Sequence, residues 1–69
     1  METIMWCPHD RKEELLRVCD DIAKKDESFI WFERDDKIVI VSDNLDICHR
    51  RGMWFIHKFD SRIKYEVKE

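Results

Sequence analysis

The sequence predicts an α+β sandwich in the order β-α-β-β-α-β, a four-stranded antiparallel sheet with two helices on one face. Three observations carry this reading. Two segments have apolar residues at helical spacing, a hairpin-like pair of aromatic and β-branched runs lies between them, and further strand-like runs flank the whole. The arrangement is that of the ferredoxin-like fold.

Thr3 to Cys7 comes first and is apolar on both faces, with Ile4 and Trp6 on one side and Met5 and Cys7 on the other, as a central strand requires. Pro8 ends that strand, and Asp10 with Glu13 three residues on has the spacing of a capping box. The helix it would open carries Leu15, Val18, Cys19 and Ile22 on one stripe, with charges opposite, and runs to about Lys25.

Phe29 to Arg34 and Lys37 to Val41 are joined by Asp35-Asp36, which suits a two-residue hairpin and places Phe32 opposite Val39 and Trp31 opposite Ile40. Ser42, Asp43 and Asn44 offer three caps for a second helix, in which Leu45, Cys48, Gly52, Phe55 and Phe59 alternate steps of three and four. A competing reading ends this helix at Gly52 and makes Met53 to Phe59 a strand. Last, Ile63, Tyr65 and Val67 alternate with Lys64, Glu66 and Lys68, the period of a half-exposed edge strand.

At 69 residues, with one glycine, one proline and no repeat, the chain has room for one core and no linker, so residues 1–69 read as a single domain. Hydrophobic residues at 43% exclude disorder, and charged residues at 42% exclude a membrane protein. The start lacks a basic n-region and a long apolar stretch, so cytoplasmic residence is the expectation. Cys7, Cys19 and Cys48 are an odd set and are expected as reduced thiols. A net charge of −3, spread without blocks, offers no footprint for duplex DNA or an anionic membrane.

Enzyme chemistry finds no foothold. There is no nucleophile elbow and no glycine-rich phosphate loop, while Asp20-Asp21 and Asp35-Asp36 are neighbours that diverge or occupy a turn. No cofactor is expected. Cys7-Pro8-His9 supplies one thiol and one imidazole without zinc-site spacing, and Cys48 and His49 point about 100° apart on a helix, so no metal is expected either.

The open sheet face is the candidate site. It must expose either Phe29, Trp31, Ile38 and Ile40 or Ile30, Phe32, Val39 and Val41, and such an apolar patch marks an interaction surface. The first set together with Trp6 is taken as the binding face of a non-catalytic protein-interaction module: a homodimer, adaptor or inhibitor. One alternative is single-stranded nucleic-acid binding through sheet aromatics and the basic cluster His49, Arg50 and Arg51, read as a helix end. The other is an engineered scaffold without biological activity.

Overall fold

The structure is a computed structural model describing residues 1–69. It has the ferredoxin-like order: β1 (Glu2–Trp6), a 3-10 turn (His9–Arg11), α1 (Lys12–Lys25), β2 (Ile30–Arg34), β3 (Lys37–Val41), α2 (Leu45–Lys58) and β4 (Lys64–Lys68). The strands form one antiparallel sheet in the order β2-β3-β1-β4, so the two strands that are apolar on both faces lie in the middle. No helix is long and apolar enough to cross a membrane.

The first helix starts later than the capping-box spacing predicts. Pro8, fixed at φ −58°, opens the 3-10 turn, and its carbonyl accepts the Arg11 N–H at 3.0 Å. Asp10 falls inside this turn and accepts from Arg62 Nη2 at 3.1 Å, leaving α1 with no side-chain cap. Glu13 and Glu14 in the first turn still favour the positive end of the helix dipole. The helix ends at Lys25, after which Asp26 Oδ1 accepts from the backbone N–H and hydroxyl of Ser28.

The hairpin has the expected register, with Phe32 opposite Val39 and Trp31 opposite Ile40. Asp35 and Asp36 have φ of 52° and 65°, the left-handed pair that a two-residue turn between twisted strands demands and that aspartate tolerates. Lys12 of α1 pairs with the Asp36 carboxylate and with Glu33, at 3.3 Å from the latter, tying the hairpin tip to the helix start.

Of the three caps available to α2, Asn44 is used: its Oδ1 accepts from Asp46 N at 2.8 Å and Ile47 N at 3.3 Å. The helix then continues through Met53 to Lys58, so the strand reading of Met53 to Phe59 is overturned. Cys48, Gly52 and Phe55 lie buried on one stripe, while Met53 and Trp54 face outward, an arrangement of period 3.6 and not 2.

Between the sheet and the helices lies a core of Met5, Leu15, Cys19, Phe29, Ile38, Ile40, Phe55 and Ile63, closed at one end by Cys7. This decides the hairpin's orientation and corrects the site set read from the sequence. Phe29, Ile38 and Ile40 are buried among the helices and Trp31 is half-buried against the same core, so none is on the open face. The buried Thr3 hydroxyl donates to the Cys48 carbonyl at 3.0 Å, which fixes β1 against α2.

Candidate functional site: the open sheet face

Strand register places the open-face side chains in rows. One runs Phe32, Val39, Ile4, Glu66 across the four strands, and another runs Ile30, Val41, Glu2, Lys68. At the far side, Arg34 is paired with Lys37 across the hairpin, and Trp6 with Lys64 across β1 and β4. Trp6 is thus the one residue of the sequence-predicted partner set that lies here, joined by Ile4, Ile30, Phe32, Val39 and Val41.

Ile30, Trp6 and Phe32 are 55%, 44% and 39% exposed, yet Val39 between them is wholly covered. Phe32 and Ile4 flank Val39 in register, and the Arg34 guanidinium stands 5.7 Å from the Phe32 ring centroid while reaching across to Glu2. There it donates from Nη2 to Oε1 at 2.7 Å and from Nη1 to Oε2 at 3.2 Å. This fork holds the Glu2 carboxyl below its ordinary value and raises the guanidinium, so the pair is ionised through neutral pH.

The face carries four cations, Arg34, Lys37, Lys64 and Lys68, against two acids, Glu2 and Glu66. Its net charge of +2 leaves −5 for the rest of a chain whose total is −3. Arg34 is committed to Glu2, whereas Lys37, Lys64 and Lys68 have no ion-pair partner. Lys37 and Lys64 border, with Ile4, Trp6 and Glu66, a shallow depression of about 270 Å³. Trp6 thereby shares the border of this depression with Lys37 and Lys64.

The other predicted site residues are not brought together. His49, Arg50 and Arg51 are in the interior of the 14-residue α2 and not at its end, because the helix continues past Gly52. About 100° separates successive residues, so their side chains diverge. His49 Nδ1 is 3.0 Å from the Tyr65 hydroxyl, Arg50 is exposed, and Arg51 lies 4.8 Å over the Phe29 ring between the helices. Cys7 is buried with its thiol directed at the Pro8 carbonyl, while His9 is exposed 3.9 Å from Asp36, so the two do not converge on a common point. No three His, Cys, Asp or Glu side chains gather around one position anywhere in the chain.

Ile30, Phe32, Val39 and Val41 are the alternative face that the sequence offers and that is not the one taken as the binding face, while Lys37 and Lys64 are not read from sequence as site residues. Strand parity held a signal: Arg34, Lys37 and Phe32 share a face, and two charges on that face mark the wet side. Glu33 obscured it, since it shares Trp31's face yet remains half-exposed at the rim, where it meets Lys12.

Comparisons with protein-family models, with curated proteins and with solved structures each found no match, so the functional reading rests on this geometry.

Proposed function

We propose that this protein is a small, non-catalytic interaction module whose working surface is the open sheet face, and that the face receives a foreign macromolecule bearing negative charge. The observation that carries the reading is the combination of three exposed apolar side chains, Trp6, Ile30 and Phe32, with three lysines free of ion pairs on one helix-free surface. Burying such a patch is favourable by about 25 cal/mol per Å² of apolar area, and unpaired cations around it steer an anionic partner in.

Charge argues against a second copy as the occupant. Two such faces, each at +2, would oppose each other across a face-to-face dimer. Three free, buried thiols fit a reducing setting such as the cytoplasm, where no disulfide is needed to hold the fold.

Solution mass by size-exclusion chromatography with light scattering, over a wide concentration range, tests this reading alongside Ile30→Glu and Phe32→Glu. We expect a monomer throughout, and variants that fold as well as the parent. A dimer abolished by either substitution would assign the face to self-association, and loss of folding in both variants would assign it to the core; either result overturns the proposal.

A further inference from the structure

Resting on the open-face reading, we propose that the partner is single-stranded nucleic acid, stacked on Trp6 and Phe32 with its phosphates on Lys37 and Lys64. An acidic peptide would satisfy the lysines, but its backbone does not bring an aromatic face with each charge. An unpaired nucleotide strand carries both complements in a fixed repeat, a π-faced base and an anionic phosphate. The face presents the matching pair of features: Trp6 shares the border of the shallow depression with Lys37 and Lys64, and Phe32 stands with Ile30 on the outer strand.

Duplex DNA is a poorer occupant. Its bases are stacked inside, and grooves admit a helix or a two-stranded ribbon, whereas this surface is a four-stranded sheet on a chain of net charge −3. The acidic remainder of the molecule instead orients the strand by repelling phosphates from the helix side and the exposed acids of α1, Glu13, Glu14, Asp20 and Asp21. Glu66 beside Ile4 repels phosphate as well, so the backbone is expected to run along Lys64, Trp6 and Lys37 toward the hairpin, away from the Glu66 position.

The experiment is a nitrogen-15 NMR titration of the whole chain with oligouridylate and oligothymidylate of about eight nucleotides, a length within the usual site size of one binding fold. Polyglutamate of matched charge serves as the competitor. Amide shifts should centre on Ile4, Trp6, Phe32, Lys37 and Lys64 with the oligonucleotides, at concentrations where polyglutamate leaves them in place. Trp6→Ala should weaken binding by about 5- to 150-fold, the range of losing one stacked base, whereas Trp6→Phe keeps most of the affinity. In Lys37→Ala/Lys64→Ala the salt slope should fall by about 1.4, which is about 0.7 for each lost phosphate contact.

Absence of oligonucleotide binding at low salt would overturn the inference and leave the open-face reading in place. Polyglutamate binding the same amides as tightly would also overturn it, in favour of an acidic protein partner. Oligonucleotide shifts centred on Arg50 and Arg51, unchanged by Trp6→Ala, would overturn both.

Discussion

The Tyr65 ring lies against the backbone of Gly52: a Cβ built at Gly52 would stand 2.5 Å from ring atoms Cγ and Cδ2 and 2.6 Å from Cδ1. This contact sets how closely α2 approaches β4, and the Tyr65 hydroxyl, 3.0 Å from His49 Nδ1 one turn earlier, holds the ring in place. Gly52→Ala should therefore destabilise the protein although alanine is the better helix former. The propensity gain of about 1 kcal/mol is outweighed by an overpacking cost of about 1–3 kcal/mol, because the atoms in the way are at the root of the ring and cannot swing aside alone. Urea denaturation should show a net loss of up to about 2 kcal/mol, converted to a gain in a Tyr65→Ala background. A stabilised Gly52→Ala single variant would refute the argument.

The two faces of the hairpin should differ sharply under truncation. Ile38 and Ile40 are 1% and 0% exposed in the core, so Ile38→Ala and Ile40→Ala should each cost about 2–5 kcal/mol. Ile30, mostly exposed on the other face, should cost about 0.5 kcal/mol or less on the same change. Thermal melts of the three variants decide it: a larger loss at Ile30 than at Ile38 and Ile40 would mean that the hairpin turns its other face to the helices, and equal losses would mean that the two faces do not differ in burial.

Element order and hairpin register were legible because each rests on local pattern: the stripe of Leu15, Cys19 and Ile22, the Asp35-Asp36 turn, and the alternation from Ile63 to Val67. What the pattern could not resolve was the choice between the hairpin's two faces, since Trp31, Ile38 and Ile40 are as apolar as Ile30, Phe32 and Val39. That choice is made by long-range packing against Leu15, Cys19 and Phe55, which no local window contains. The late start of α1 was hidden for a related reason. Asp10 is spent on Arg62, 52 residues away in sequence, and not on its own helix.

Acid should weaken the fold through Asp60. Its carboxylate accepts from the side chain and backbone N–H of Arg62, with Arg11 adding a contact at 3.3 Å, and these hold it down to about 2 from its ordinary 3.8. A depressed carboxylate contributes stability that is present above the unfolded value and lost as pH falls toward the folded one. Denaturation midpoints should thus decline between about pH 4 and pH 2. Asp60→Asn should lower stability at neutral pH and make that decline shallower, the remaining slope coming from Glu2, Asp26 and Asp36, which are also held below their ordinary values. An unchanged acid slope in Asp60→Asn would contradict this assignment.

The three thiols should be silent until the protein opens. Cys19 and Cys48 are wholly buried and Cys7 nearly so, and burial pushes the Cys19 thiol up to about 12 and raises Cys7 as well. Only the thiolate reacts, so burial suppresses labelling twice, through access and through ionisation. With an aromatic disulfide reagent at mildly alkaline pH, native protein should show almost no thiol reaction and unfolded protein all three. Because the Cys19 value is raised on folding, the sign is opposite to that of Asp60: its contribution is intact below the unfolded value of 9.0 and is lost as pH climbs toward about 12. Cys19→Ala should remove that part of the alkaline slope while costing core packing at neutral pH. Rapid labelling of Cys19 in the native state would mean that α1 separates readily from the sheet, and the packing described for Leu15, Cys19 and Ile40 would then not be the resting state of the chain.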